Sequence, residues 1–233
     1  MGSDEIVESA KAVQEVAKAA GSAIQAGRDA GGFIAKYVAG PLAQVSRMIE
    51  DQLKYSADVR FVRLVVKFQA ELQALGPDVN LKALPLNFAL PILEEAVMEE
   101  DDDLQDLWAR LLANTADADS GVVPRRAHIS MIRDMSPFDA LVFEAIYTMP
   151  REIAGQKPVV THELPGRAYA ATEGTKMDAI PDPSEEIILS LSNLERMGAI
   201  AYGASWGGAE IFKVVNETVA GRELMKAIKR RAA

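Results

Sequence analysis

The sequence has no cysteine and only two histidines, His128 and His162. The missing cysteine excludes disulfides, thiolate metal sites, cysteine nucleophiles and thiol redox centres, and it points to the cytosol as the expected compartment. No stretch reaches the roughly 18 to 20 uncharged apolar residues that a membrane-spanning helix needs. The opening residues, MGSDEIVESAKAV, place acids ahead of the first apolar run and lack the cleavage pattern of a secretory signal. Also missing are the GxSxG elbow, HExxH, the P-loop and the Rossmann glycine pattern, so no motif supports catalysis. Positive charge is in deficit. Against 34 acidic residues stand 25 basic ones, for a net charge of -9, and the pI is near 4.9. That balance opposes generic attraction to phosphate backbones and to anionic membranes.

What is present is an ordinary globular composition. The 233 residues are 49% hydrophobic, enough for one large domain or two small ones with a real core. Apolar and alanine positions recur at helical spacing over 3–30 (Ile6, Val7, Ala10, Val13, Ala17, Ile24). Gly21, Gly27, Gly31, Gly32 and Gly40 then weaken any helix, since each glycine costs about 1 kcal/mol relative to alanine in a helix interior. A hinge or break is expected there. A stronger pattern over 42–75 (Leu42, Val45, Ile49, Leu53, Phe61, Leu64, Val65, Phe68, Leu72) ends at Gly76-Pro77 and predicts one long helix or two in series. Pro91 fits the first turn of a helix over 91–99. Asp101 to Asp103 suit the next helix N-terminus, ahead of the stripe Leu104, Leu107, Trp108, Leu111 and Leu112. A turn over 117–121 and a short helix over 124–135 complete an expected N-terminal helical bundle, residues 1–135.

Residues 136–233 have a different order. Ser136-Pro137 opens a helix with Leu141, Val142, Ala145 and Ile146, and a proline- and glycine-rich stretch over 150–183 reads as an irregular insertion with little core of its own. The segment PSEEIILSLSNLERMGAI gives a second helix closing at Met197-Gly198. Strands are expected over 200–202 and 210–215 around the turn 205–208, and a last helix over 219–229. This is the order of a winged helix. The expected fold class is therefore mainly α: a helical bundle followed by a small α+β winged-helix-like domain.

Three constellations compete for a function. The acids Glu94, Glu95, Glu99, Glu100, Asp101, Asp102, Asp103 and Asp106 invite a metal reading, but adjacent aspartates diverge once a helix begins and no histidine joins them at ligand spacing, so capping and solvation are preferred. Arg125, Arg126 and His128 form the one locally basic spot of the first region, a candidate contact for a partner or an anion, weighed against a salt-bridged surface helix. Gly27 and Gly31, four apart, are candidates for close helix pairing within the chain or between subunits. Arg28, Asp29 and Lys36 forbid a simple membrane span there, which leaves reversible membrane contact as the less favoured alternative. The second helix of the winged-helix region carries Glu185, Glu186 and Glu195 against Arg196 alone, which argues for packing or protein contact over DNA reading. No catalytic, cofactor-binding or metal-ligating residue is expected.

The segments GGFIAKYVAGPLAQ, LPLNFALPILEEAVMEEDDDLQDLWARLLANTAD and SPFDALVFEAIY resemble the Abi-alpha (abortive infection alpha) family, a bacterial domain of unknown function. The likeness covers about 12–147, is most specific in EEDDDLQDLWARLLANTADADSG, and leaves the last third as a more variable tail. It implies a link to phage defence by abortive infection and brings no catalytic residues with it. The expectation is a non-enzymatic protein that oligomerises or engages a protein partner. A membrane-acting effector is the alternative, and a winged-helix transcription regulator a weaker one.

Overall fold

In the computed structural model the described residues are 38–39, 58–150, 157–172, 174–204 and 210–231. The expectations for the N-terminal amphipathic helix, Gly27, Gly31, the hinge, the first half of the 42–75 pattern and the turn 205–208 lie outside them.

Helix α1, Asp58–Ala74, buries Phe61, Leu64, Val65, Phe68 and Leu72, the 3/4-spaced stripe of its sequence, and Gly76 takes a left-handed φ of 92° before Pro77 ends the run. Two short strands, β1 (Val38–Ala39) and β2 (Leu84–Pro85), pair in parallel. Helix α2 follows as Leu86–Met98, starting five residues before the expected boundary and keeping Pro91 inside. Proline removes one backbone donor and crowds the preceding turn. Here the buried stripe Phe88, Ala89, Ile92, Leu93, Ala96 and Val97 runs through the proline and holds both sides in one helix.

Helix α3, Asp102–Ala116, sits at the centre, packed against α1, α2 and three later helices, with Trp108 and Leu111 fully buried. A 3-10 turn at Ala118–Ser120 leads to α4, Arg126–Arg133, and then to α5, Pro137–Tyr147, which opens on a complete capping box between Ser136 and Asp139.

The segment over 150–183, where only an irregular insertion was expected, contributes strands β3 (Val159–Val160) and β4 (Tyr169–Ala170). It also buries Val159, Val160, Leu164, Ala170 and Ile180. Helix α6, Glu185–Arg196, is capped by Ser184 and closed by Gly198 at a φ of 72°. Strands β5 (Ile200–Ala204) and β6 (Glu210–Glu217) follow, then α7, Val219–Ile228, capped by Thr218. The second sheet is antiparallel in the order β4-β3-β6-β5, with Val159 opposite Val215 and Tyr202 opposite Val215 on the other edge.

The chain is mainly helical with one small four-stranded antiparallel sheet. Its main apolar cluster runs without a break from Phe61 on α1 to Ile228 on α7, across the 135/136 boundary. Asn114 of α3 donates to the carbonyls of Ala227 and Lys229, both at 2.9 Å, and so pins the end of α7 to the centre of the bundle.

Candidate functional site

The acidic segment around residues 99–117 is the most distinctive part of the sequence, and most of its carboxylates and both its amides, Gln105 and Asn114, are engaged in internal contacts. Asp101 accepts from the backbone N–H groups of Asp103 (3.0 Å) and Leu104 (2.9 Å), which is the N-cap of α3. Asp102 and Asp106 both bind Lys67 of α1, and Arg63 lies 3.5 Å from Asp102. Glu100 pairs with Arg60, and Arg63 also donates to the carbonyls of Glu99 and Glu100. These carbonyls follow the end of α2, where helix ends leave acceptors without intrahelical donors. The cations of α1 therefore cover the end of one helix and the start of the next at once.

Burial works against the charged form of Lys67, but its hydrogen bonds to Asp106 and Asp102 outweigh this and raise its pKa above the ordinary lysine value. The same ammonium, by hydrogen bonding, lowers Asp102 below the ordinary carboxylate range. Further along α3, Arg110 reaches Glu144 of α5 at 2.9 Å and lies 3.8 Å from both Glu71 and Asp106. Arg230 closes on the buried Glu71 at 3.1 Å, and Arg231 pairs with the buried Asp117, which also caps the 3-10 turn. This is a charged seam along α1 and α3 that clips the C-terminal residues onto the bundle. Among the described residues no three His, Asp or Glu side chains converge in a way that could hold a metal ion.

Sequence reasoning found the capping role of Asp101. It missed Gln105, Asn114, Arg110 and the whole set of α1 cations. Gln105 carried a readable signal: it stands three before Trp108 and seven before Leu112, on the apolar stripe itself.

The basic trio does not stay together. Arg125 and Arg126 are exposed, whereas His128 faces the core at 2% exposure with neither ring nitrogen hydrogen-bonded. His128 is thus no surface contact, and the reason is helical geometry: it lies one position before Ile129 on the face that buries Ile129, Met131 and Ile132. Among the described residues neither Arg125 nor Arg126 forms an ion pair, whereas Arg133 at the other end of α4 pairs with Glu95 and Asp134. His162 stands 3.4 Å from Glu163 and edge-on to Tyr169.

Burial, with the charge of Arg125, lowers the pKa of His128 below its ordinary value of 6.5, and Glu223 of α7 offsets this only in part. The folded state thus favours the neutral ring. The associated stability is complete above the unfolded-state value and is lost as the pH falls through it toward the folded pKa. Between pH 7.5 and pH 5 the wild type is expected to lose stability that His128→Leu retains. Urea titrations at both pH values measure it, and identical pH slopes for the two proteins would clear His128 of the effect.

Capping aspartates, paired acids, a buried amide and the tie from Asn114 to the last helix make this segment a device for assembling helices. The family model described as abortive infection alpha matches residues 60–232, and the chain belongs to that family. The match takes in the last third, with α6, β5, β6 and α7, which therefore belongs to the family domain as much as the helices before it. Membership associates the protein with abortive infection. No curated protein and no solved structure matches the chain.

Proposed function

We propose that this protein is a non-enzymatic, cytoplasmic component of bacterial phage defence by abortive infection, acting through contacts with other protein molecules. The observation that carries the reading is the engagement of the family's polar segment: its carboxylates and amides cap helices, bridge α1 to α3 and hold α7. Catalysis by acid and base needs such groups directed at a substrate, whereas here all the carboxylates of 99–117 but that of Asp103 meet internal partners.

A winged-helix arrangement of residues 136–217 is supported by the strand order, with β6 between β3 and β5 and α6 leading into the β5–β6 pair. The free face of α6 argues for protein contact over DNA. Glu185 and Glu186 are exposed, Leu189 is 67% exposed, and Arg196 is engaged with Asp134 and Asn193. A helix that reads DNA needs donors for phosphates and base edges, and this face presents carboxylates and a leucine. The membrane-acting alternative rests on residues around Gly27 and Gly31 that lie outside the described ones. No helix among the described residues is long and apolar enough to cross a membrane.

Plating efficiency of a phage panel on cells producing the protein tests the proposal. The expected result is a reduction of plaques by at least about tenfold that Asp106→Asn preserves to within a few-fold, since a lost surface-type ion pair costs about 1 kcal/mol or less. Loss of protection in an Asp106→Asn protein that still folds would overturn the non-enzymatic reading. A wild type that protects against no phage of the panel would overturn the defence role.

A further inference from the structure

Every arginine among the described residues is held in an ion pair except two neighbours, Arg125 and Arg126. Both are exposed, and both stand beside Val123, which is 55% exposed. Lys226 of α7 donates to the carbonyl of Gly121, four residues before Arg125, at 2.7 Å. The nearby Glu223 is half-buried, and its charge acts on His128 below the surface. In a chain of net charge -9, this leaves Arg125 and Arg126 as the arginines without an ion pair among the described residues, next in sequence to an exposed valine.

The first turns of α6 present the reverse. Glu185 and Glu186 are exposed and form no ion pair among the described residues, and Leu189, three and four positions on, shares their face at 67% exposure. Carboxylates at a helix N-terminus favour the helix through its dipole, by about 0.3 to 1 kcal/mol each. That explains the acids. It does not explain the exposed leucine between them and the end of the helix.

Resting on the interaction role proposed above, we infer that the partner is a second copy of this chain, joined head to tail. The Val123-Arg125-Arg126 patch of one copy seats on the Glu185-Glu186-Leu189 face of α6 of the next. Arginine is suited to this work, because its planar fork matches carboxylates and is more weakly hydrated than an ammonium group. Two different patches meet in such a contact, so it is heterologous and repeats into a ring or a filament. The apolar side chains supply the buried centre and the charges fix the register.

Light scattering and sedimentation of the purified full-length protein read this out. The wild type is expected to associate with rising concentration at low salt and to dissociate as salt screens the contact. Arg125→Glu with Arg126→Glu, and separately Glu185→Lys with Glu186→Lys, should each weaken association by at least about tenfold. Mixing the two variants in equal amounts should restore it, because every junction then pairs opposite charges again. Glu94→Lys, an exposed acid beside the exposed Met98 on α2, serves as the control and should leave association unchanged.

An oligomer that survives either double reversal, a mixture of folded variants that stays apart, or a wild type that remains monomeric at tens of micromolar would each overturn the inference. The plating assay separates the two proposals. Protection without self-association ends this inference and leaves the defence role standing, and self-association without protection does the opposite.

Discussion

Gly221→Ala is expected to destabilise the protein by about 3 kcal/mol, at the upper end of ordinary overpacking costs, and to expose α7 to early unfolding. The usual effect has the opposite sign, since replacing glycine by alanine inside a helix stabilises it by about 1 kcal/mol. The reversal comes from the surroundings of Gly221. A methyl group there would stand 1.9 Å from the Tyr147 hydroxyl oxygen and 2.1 Å from the carbonyl oxygen of Ala199.

Neither neighbour can simply turn away. Tyr147 donates to Ala199 O at 2.5 Å and accepts from the backbone N–H of Thr218 at 3.0 Å. Thr218 in turn donates its hydroxyl to the carbonyls of Gly198 (2.7 Å) and Ala199 (3.0 Å), and accepts from Gly221 N at 2.9 Å as the cap of α7. One knot therefore fastens the end of α5, the turn after α6 and the start of α7. Making room means breaking the knot or moving backbone at the start of β5. Tyr147→Phe in the Gly221→Ala background removes the hydroxyl but leaves Ala199 O in place, so it should recover only part of the loss. Urea unfolding followed by circular dichroism measures all three proteins. A Gly221→Ala variant as stable as the wild type would show that α7 does not approach Tyr147 this closely.

That knot marks the limit of what the sequence discloses. Helix boundaries were legible where one or two residues do the work locally: the acidic run at Asp101 caps α3, Ser136-Pro137 opens α5, and Gly198 ends α6 in the left-handed region. Contacts between distant segments were not. Strands β3 and β4 are two residues long and have no period to read, and β3 finds its partner in β6, more than fifty residues later. The start of α2 was hidden because a proline at its sixth position looks like a boundary, while the burial that overrides it depends on packing against α1 and α3. The acidic run was legible as capping. Its partners Arg60, Arg63 and Lys67 belong to a helix about forty residues upstream, and only the fold brings them together. His128 shows the same limit on a smaller scale: Arg125, Arg126 and His128 lie within four positions of the sequence, and a single turn of helix sends the histidine into the core.

The same dependence on neighbours makes Gln105 costly to change. Its side chain is fully buried, and its amide donates to the carbonyls of Arg60 on α1 and Ala96 on α2, both at 3.1 Å, while its oxygen accepts from Arg63. Ala96 is in the last turn of α2, where carbonyls lack intrahelical donors. One side chain on α3 thus ties three helices together. Gln105→Leu keeps a similar size but leaves Ala96 O buried without this donor and the Nε–H of Arg63 without its acceptor, while the guanidinium keeps the carbonyls of Glu99 and Glu100. At about 1 to 3 kcal/mol for each buried polar group left unsatisfied, a loss of about 3 kcal/mol is expected. Gln105→Glu should be worse at pH 7, because it sets a carboxylate against two carbonyl oxygens. It should recover partly in acid, where the protonated group can donate to one of them. Asp103→Ala, at an exposed position two residues away, should stay within about 0.5 kcal/mol. Chemical denaturation of the four proteins orders them. A Gln105→Leu variant within 1 kcal/mol of the wild type would mean that the helices meet without this bridge. If the order holds, the same variants carry the argument into function: phage protection should then fall only as far as the folded fraction falls, because Gln105 serves the assembly of the bundle and touches nothing outside it.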